Sequence, residues 1–332
     1  MTEQRTEASR PARPDSADDI VLPFGTVRSR IAGRIVRLGD VSDAVLSGHT
    51  YPDPVRHVLG EALALTALLG HPIADGGRLI LQTKTDGPLG FLVVQYDAPG
   101  ALRGYASFDA ERVAALGDGP VDSARLLGSG RLAMTIDAGG DQTSHQGIVT
   151  LDSGTLTDAA HAYFRQSEQL PTFMRLAVAR HYRAAHAGHA AAWRWRAGGL
   201  MVQHVPSSGG DPSPDETPED RDARLHGEDD DGWLTVATLA ATVEDHELID
   251  PTLSPERLLM RLFHEEGVRV GTESELVARC RCSRHRIEGF LTEFSAADIA
   301  DMREPDGRVS VTCEFCSTVY HFAPDEIVSR RP

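Results

Sequence analysis

Cys280-Arg281-Cys282 and Cys313-Glu314-Phe315-Cys316 contain every cysteine of the 332-residue chain. Each short-spaced pair offers two thiolates from one turn, and the 30 residues between the pairs can fold them towards each other. A tetrahedral zinc ion accepts four sulfurs at about 2.3 Å each and then has no position left for a substrate. The pattern therefore predicts one closed four-thiolate zinc site, whose ligands are Cys280, Cys282, Cys313 and Cys316.

This predicted zinc site admits two interpretations. In the simpler one, the metal only holds a small module together, since a segment as short as Glu275 to Pro332 has a marginal core without it. In the other, the thiolates form a redox switch, because oxidants convert thiolates to sulfenic acids and then to disulfides. A disulfide within one pair would remove metal ligands, so both interpretations stay open at this point.

Charge and composition exclude several classes of protein. The formal net charge is −16, from 33 basic and 49 acidic residues, which is the opposite of a nucleic-acid-binding surface. No apolar run reaches the roughly 18 residues of a membrane span. Residues 1–19 are polar and lack the apolar stretch of a secretory signal, so we expect a disordered tail there. These features predict a cytoplasmic protein, a compartment in which thiols stay reduced.

Residues 20–206 alternate between strand and helix patterns in the manner of an α+β core. The longest element is a helix over Tyr51–Gly70, with Asp53-Pro54 as cap and first-turn proline; it is apolar nearly all round and is therefore predicted to be buried. A second helix is expected at Thr157–Glu168, and Gly198–Val205 is interpreted as a separate apolar piece. Strands are predicted at Arg30–Leu38, Arg78–Thr83, Gly90–Tyr96, Ala101–Phe108, Gly130–Asp137, Gln146–Leu151, Thr172–His181 and Ala190–Arg196.

The remainder of the chain divides into three segments. Residues 207–232 contain ten acidic residues and two arginines, and we predict a disordered acidic insert because so little apolar surface can be buried. Residues 233–274 follow a helical pattern, with Ser254-Pro255 at the start of one helix and Gly267 at its end. Residues 275–332 form the cysteine module. The predicted architecture is a mixed α/β core, a helical linker and a small zinc-binding domain.

The charged and histidine side chains near the cysteines can be interpreted in more than one way. Arg279, Arg281, Arg284 and Arg286 would compensate a negatively charged zinc–thiolate centre, or else attract an anionic partner. With four cysteines available, we expect surface or packing roles for His264, His285 and His321 rather than metal ligation. His181, His186 and His189 do not have the HExxH spacing of a catalytic zinc site.

Catalytic motifs are missing from residues 20–206. The sequence there has no nucleophile elbow, no P-loop and no dinucleotide fingerprint. We therefore predict that the protein is not an enzyme. Two alternatives remain, namely an enzyme with a purely structural zinc module, and a thiol–disulfide oxidoreductase that uses Cys313 and Cys316.

The chain resembles the bacterial redox-regulated heat-shock holdases, the family of 33-kilodalton zinc chaperones, from Phe24 to Phe322. Several blocks carry the resemblance, and the cysteine module is the most specific of them. The blocks are Leu59-Gly-Glu-Ala-Leu-Ala-Leu-Thr-Ala-Leu-Leu-Gly70, Leu102-Arg-Gly-Tyr-Ala106, Gly128-Ser-Gly-Arg-Leu132 with Thr135 and Asp137, Tyr163-Phe-Arg-Gln-Ser-Glu-Gln169, Leu258-Leu-Met-Arg-Leu-Phe-His-Glu-Glu-Gly267, Cys280-Arg-Cys-Ser-Arg and Val311-Thr-Cys-Glu-Phe-Cys316. The polar tail and the insert at 207–232 are longer than the family pattern.

The resemblance implies an ATP-independent chaperone that is inactive when reduced and zinc-bound. Oxidation is implied to join Cys280 to Cys282 and Cys313 to Cys316, to release one zinc ion, and to unfold the module and destabilise the linker. Activation is also associated with formation of a homodimer. The implied partners are unfolding client proteins, and our candidates for the client-binding surface are the apolar residues of one linker helix, Leu258, Leu259, Leu262 and Phe263.

Overall fold

The computed structural model describes residues 18–117, 119, 122–139, 144–152, 154–185, 190–204, 231–323 and 326–327. Within them it is a mixed fold of helices and sheets, which confirms the predicted α+β class. Most of the predicted tail and acidic insert lies outside the described residues. The structure describes Asp18 and Asp19 of the predicted tail and Asp231 and Gly232 of the predicted insert.

One six-stranded sheet forms the face of the core that the linker covers. Its strands are β1 (Ile20–Thr26), β2 (Ala32–Leu38), β8 (Thr172–Arg183), β9 (Ala192–Gln203), β10 (Val268–Val270) and β11 (Ser274–Glu275). The spatial order is β10-β1-β2-β9-β8, and β11 pairs with β1 beside β10. All these pairings are antiparallel. Both β10 and β11 come from the C-terminal half, so the segment after the linker helices is tied to the first strand of the core.

A second six-stranded sheet forms the other layer. Its strands are β3 (Arg78–Thr85), β4 (Phe91–Asp97), β5 (Ala101–Ser107), β6 (Ser129–Asp137), β7 (His145–Asp152) and β12 (Val277–Ala278). The order is β12-β5-β4-β3-β6-β7, and only the two-residue β12 runs parallel to its neighbour. This sheet therefore receives its edge strand from the residues that precede Cys280.

Helix α2 (Asp53–Gly70) packs against strands of both sheets. Twelve of its residues are buried, as its all-round apolar sequence predicts. The start differs in detail from the prediction, because Pro52 occupies the capping position and Asp53 instead pairs with Arg56 at 3.0 Å. Small helices flank this core. They are α1 (Asp40–Leu46), α3 (Ala110–Ala114), α4 (Ser123–Leu127), α5 (Leu156–Tyr163) and a π-helical turn (Phe164–Glu168).

The linker contains three helices, α6 (Asp231–Ala241), α7 (Asp245–Ile249) and α8 (Pro255–Phe263). Their apolar side chains form a second core with β1, β2 and β9. The side chain of Ser254 accepts from the N–H of Arg257, so the predicted serine cap is confirmed. Helix α8 ends at Phe263, before Gly267, which has a φ of +68° and turns the chain into β10. The end of the predicted helical linker is thus a strand.

The C-terminal module has a third, small core of Leu291, Ile299, Val309, Phe322 and Ile327. Its elements are α9 (Arg284–Leu291), α10 (Ala296–Asp301), β13 (Val309–Thr312) and β14 (Val319–Phe322). The two strands form an antiparallel hairpin. Five buried apolar side chains among the described residues of the module are few for an independent fold, and a bound metal would supply further folding free energy.

Among the described residues, no helix is both long and apolar enough to cross a membrane.

Candidate metal centre

The first cysteine pair lies between β12 and α9. Main-chain pairing of β12 to β5 fixes the chain on one side, and Ser283 caps α9 on the other by accepting from the N–H of Arg286. The second pair occupies the turn of the β13–β14 hairpin. In that turn Cys313 donates its N–H to Thr318 and accepts from Ser317 at 2.8 Å. Ser317 takes a φ of +56°, which lets the turn close within a few residues.

The fold brings the four sulfur atoms of Cys280, Cys282, Cys313 and Cys316 within 4.8 Å of one another. The closest contacts run between the pairs, at 3.7 Å for Cys280 and Cys313 and 3.3 Å for Cys282 and Cys316. Tetrahedral sites with metal–sulfur bonds of about 2.3 Å separate neighbouring sulfurs by roughly 3.8 Å. The sulfur cluster therefore has the donor set and nearly the spacing that a zinc ion requires.

Hydroxyl groups surround the sulfur cluster. Tyr320 donates to Sγ of Cys282 at 3.2 Å, and the hydroxyl of Thr318 lies 3.2 Å from Sγ of Cys316. Burial raises the pKa of Cys282 to about 12. At Cys316 burial also opposes ionisation, but hydrogen bonds from Thr318 and the neighbouring cysteines lower the pKa to about 7. A divalent cation bound to the cluster would hold all four sulfurs as thiolates.

Arg103 of β5 brings a positive charge into contact with a sulfur of the cluster. Its guanidinium donates to Sγ of Cys280 at 3.8 Å and lies 4.1 Å from the centre of the Phe315 ring. Gln95 holds the same guanidinium from the other side, through an oxygen at 2.6 Å. The sequence prediction did not include this residue, although it belongs to the block Leu102-Arg-Gly-Tyr-Ala106.

The four arginines that were predicted to surround the first pair have other contacts. Arg281 pairs with Asp97 at 3.2 Å, and Arg284 pairs with Glu326 at 2.7 Å. Arg286 donates to the carbonyl of Arg281, and the main-chain N–H of Arg279 donates to Leu102. Carboxylates thus neutralise two of the four charges, which differs from the expected compensation of the sulfur cluster.

The histidines in the part of the chain that the structure describes do not contribute to the sulfur cluster. His321 forms a 2.8 Å hydrogen bond with Ser310, and the exposed His264 lies 3.9 Å from Glu265. His285 is exposed on α9. Among the described residues, the group whose ligand atoms converge consists of the four cysteines alone. His186 and His189 lie outside the described residues.

The module rests on the core through the second cysteine turn. The ring of Phe315 lies 6.4 Å from that of Tyr105, and Ser317 donates to the carbonyl of Gly48 at 2.9 Å. The imidazole of His49 is also 3.1 Å from the Ser317 hydroxyl. These contacts place the second cysteine turn against β5 and the loop after α1.

The candidate client-binding residues lie at the interface of linker and core. Leu258, Leu259, Leu262 and Phe263 are all buried, and Phe263 stacks on Phe24 of β1 at 5.6 Å. Simple helix–core packing explains their burial. The same burial is what a switch requires, because surface that is hidden in one state can be exposed in another.

Two arginines of the core hold the linker through its main chain. The buried guanidinium of Arg37 donates to the carbonyl oxygens of Glu247, at 2.9 Å, and Asp250. Arg196 donates to the carbonyl of Ile249 at 2.7 Å and pairs with Asp18. Burial is the main reason that the pKa of Arg37 falls, to about 10. Cations at a helix C-terminus are favourable, so these contacts form a polar latch at the end of α7.

Comparisons with known proteins agree with this arrangement. Residues 19–323 match the family model described as "Hsp33 protein". A protein of Caulobacter vibrioides named 33 kDa chaperonin is 44% identical over 315 residues, which is 94% of this chain and 97% of the relative. A 33 kDa chaperonin of Ectopseudomonas mendocina is 36% identical and covers 90% of each chain. The crystal structure of the 33 kDa chaperonin of Thermotoga maritima superposes with a TM-score of 0.72 at 22% identity, over 93% of this chain and 96% of that chain.

Proposed function

Because the chain belongs to the Hsp33 family, we propose that it is a redox-regulated holding chaperone that works without ATP. Cys280, Cys282, Cys313 and Cys316 are the ligands of one zinc ion and also the oxidant sensors. In the reduced, metal-bound form the linker covers the core and the protein is inactive. The observation that carries this proposal is the position of the sulfur cluster. The chain that leads into its first cysteine pair forms strands β11 and β12, which pair with the core strands β1 and β5.

Zinc supplies two effects when it is bound: it keeps the four sulfurs as thiolates and adds folding free energy to a module with a small core. The cysteines perform the switching step. One thiolate of a pair attacks peroxide and becomes a sulfenic acid, and its neighbour then displaces water to form a disulfide. Each pair loses two electrons and each peroxide becomes two waters, so two peroxides oxidise both pairs. Disulfides within Cys280–Cys282 and Cys313–Cys316 would leave the metal without ligands.

Loss of the module's fold acts on the linker through the chain itself. Residues 268–278 lie between α8 and Cys280, and they pair with β1 and β5. When the module unfolds, these short pairings lose their support and the linker helices detach from the core. The apolar surface around Leu258, Leu259, Leu262 and Phe263 then becomes available to unfolding proteins in the cytoplasm. The oxidised protein acts as a homodimer.

The experiment compares reduced, zinc-loaded protein with peroxide-treated protein as suppressors of the aggregation of thermally unfolding citrate synthase. We expect suppression only after oxidation, and loss of suppression after a thiol reductant and zinc are restored. Mass spectrometry of the oxidised protein should find Cys280 joined to Cys282 and Cys313 to Cys316. Equal suppression by both forms would contradict regulation by the cysteines.

The alternative thiol–disulfide oxidoreductase has one observation in its favour: the hydroxyl of Thr318 lies 3.2 Å from Sγ of Cys316, a contact that favours the thiolate of a reactive cysteine. It predicts that the protein reduces the disulfides of insulin, and that Cys280→Ser leaves this activity intact. The holding chaperone predicts no turnover of insulin.

A further inference from the structure

Strand β5 forms an edge of its sheet that only a short segment covers. Val277 and Ala278 of β12 pair with Ala101 and Leu102, and β5 then continues to Ser107. Val277 donates its N–H to the carbonyl of Gly100 at 2.9 Å, and Arg279 donates to Leu102 at 3.0 Å. The edge therefore already binds an extended peptide through its main chain.

An open pocket lies along the second half of β5. His49, Tyr51, Tyr105 and Phe108 line it, together with Thr50, Ala106 and Ser107. The aromatic rings contact one another, with centroids 4.9 Å apart for His49 and Tyr51 and 6.1 Å apart for Tyr51 and Phe108. Phe315 of the cysteine turn lies at the rim, 6.4 Å from Tyr105. A large apolar side chain is the natural occupant of such a pocket.

Two covers of the β5 edge belong to the metal module, while at the far end of β5 the core itself satisfies the edge, because Ala106 donates its N–H to the hydroxyl of Tyr51 at 3.1 Å. Ala278, the last residue of β12, is two positions before Cys280, and Phe315 lies between Cys313 and Cys316. If the module loses its metal and unfolds, β12 loses its anchor on one side and Phe315 leaves the rim of the pocket. Unpaired strand edges bind extended chains, because main-chain hydrogen bonds do not depend on sequence.

We propose that the β5 edge, from Ala101 to Tyr105, and the aromatic pocket beside it form a binding site for an extended segment of an unfolding client. This inference rests on the proposed chaperone function and adds a second, strand-accepting surface to the one beneath the linker. The client segment adds to the sheet as a parallel strand, in the place of β12, and seats a large apolar side chain in the pocket.

The direction of β12 favours a client over a second copy of this chain. Two copies related by a two-fold axis would pair β5 with β5 in an antiparallel manner. The present occupant is parallel. An unfolded segment can enter in the direction of β12 and can place any apolar residue at the pocket.

A photo-crosslinking amino acid at Ser107, an exposed residue beside the pocket, tests this site in the full-length protein. The matched control is the same amino acid at Gln146, an exposed residue of β7 at the opposite edge of the same sheet. The probe is reduced, carboxymethylated lactalbumin, which stays unfolded. We expect at least a five-fold increase in crosslinked probe at Ser107 after oxidation, and no increase at Gln146.

A second pair of variants tests the site without oxidation. Val277→Pro removes the N–H that bonds to Gly100, whereas Ala278→Pro removes an N–H that faces away from β5. In the reduced, zinc-loaded state, we expect V277P to crosslink the probe at Ser107 and A278P to crosslink it several-fold less.

Three results would overturn the inference. If oxidised protein suppresses aggregation but Ser107 crosslinks no more probe than Gln146, the strand site is wrong and the chaperone function stands. If Ser107 crosslinks only a second copy of the chain, the edge is a dimer interface. If neither suppression nor crosslinking appears after oxidation, the proposed function fails together with the site.

Discussion

The guanidinium of Arg103 donates to Sγ of Cys280 across 3.8 Å, so a single side chain of the core sheet reaches the sulfur cluster. The same guanidinium lies over the ring of Phe315, which stands between Cys313 and Cys316 in the sequence. One arginine thus contacts both halves of the candidate metal site. Its removal should loosen the module from the core while all four sulfurs remain.

We expect Arg103→Met to lower the peroxide concentration that releases half of the bound zinc at a fixed temperature. The cation–aromatic contact with Phe315 and the hydrogen bond to Cys280 together stabilise docking by about 1–3 kcal/mol. The measurement is a peroxide titration with a chelating dye. Arg131→Met, at an exposed position of β6, is the control and should leave the titration unchanged. Equal curves for R103M and the parent protein would show that this contact is not coupled to the switch.

Cys313→Ser removes one sulfur from the cluster and leaves an oxygen that binds zinc weakly. We expect a large loss of bound zinc and a lower unfolding temperature of the module, because binding contributes on the order of 10 kcal/mol to folding in small zinc modules. Zinc content by atomic emission and a thermal melt check both. Glu314→Gln, at the exposed position beside Cys313, is the matched control. Unchanged zinc in C313S would rule out the four-thiolate assignment.

Arg37→Met leaves the carbonyls of Glu247 and Asp250 without their buried donor. Hydrogen bonds from charged groups contribute about 1.5–3 kcal/mol each, so the linker should detach at a lower temperature. We expect R37M to suppress aggregation partly in the reduced state, with zinc still bound. Arg257→Met, on the exposed side of α8, is the control. It tests whether the loss of any arginine in the linker is enough to give suppression of aggregation in the reduced state. Full zinc binding with no reduced-state activity in R37M would argue against the latch.

Glu61 of α2 predicts a pH dependence of stability. Burial raises its pKa from 4.5 to about 7, although Ser123 donates to it at 3.0 Å. Between these values the folded protein holds a proton that the unfolded chain releases, so the free energy of unfolding increases as pH falls from about 7 towards 4.5. Above about 7 the folded state contains a buried carboxylate, which costs on the order of 3 kcal/mol.

Glu61→Gln should therefore be more stable than the parent protein at pH 8 and about equal to it at pH 5. Chemical denaturation at the two pH values gives the difference. Asp19, whose pKa burial raises to about 6, adds a dependence of the same sign but is present in both proteins. The exposed Glu111→Gln serves as control. A stability difference between E61Q and the parent that is the same at both pH values would refute the buried-proton explanation.

The sequence was sufficient for elements with strong local signals. The apolar run of α2 and the serine cap of α8 were predicted, because helix periodicity and capping are properties of neighbouring residues. The cysteine cluster was predictable for a similar reason, since ligand spacing is local within each pair. Strand β1, with Pro23 in its middle, lacks the usual alternation and was recognised only as the start of globular sequence.

Strand β9 shows where the local pattern misled the prediction. Two segments were expected, at Ala190–Arg196 and Gly198–Val205, yet one strand extends over Ala192–Gln203. A Cβ atom at Gly198 would lie 2.3 Å from the carbonyl oxygen of Leu248 in the linker. The glycine therefore permits close approach of α7, and only the folded chain shows this reason.

The contacts of the site could not be read from the sequence at all. Arg103 and Cys280 are 177 positions apart, and Arg37 and Glu247 are 210 apart. A single sequence contains no signal for such pairs, since each arginine has the same local pattern as an ordinary strand residue. The sequence prediction instead assigned charge compensation to the arginines that are near the cysteines in sequence, although Arg281 and Arg284 pair with carboxylates.

The most direct test of the switch follows zinc release and client holding in one sample during peroxide treatment at raised temperature. A chelating dye reports the metal, and light scattering reports the aggregation of citrate synthase. We predict that suppression of aggregation rises in parallel with released zinc and reaches its maximum at one zinc per chain. Zinc that is retained while suppression appears, or released with no gain in suppression, would contradict the account.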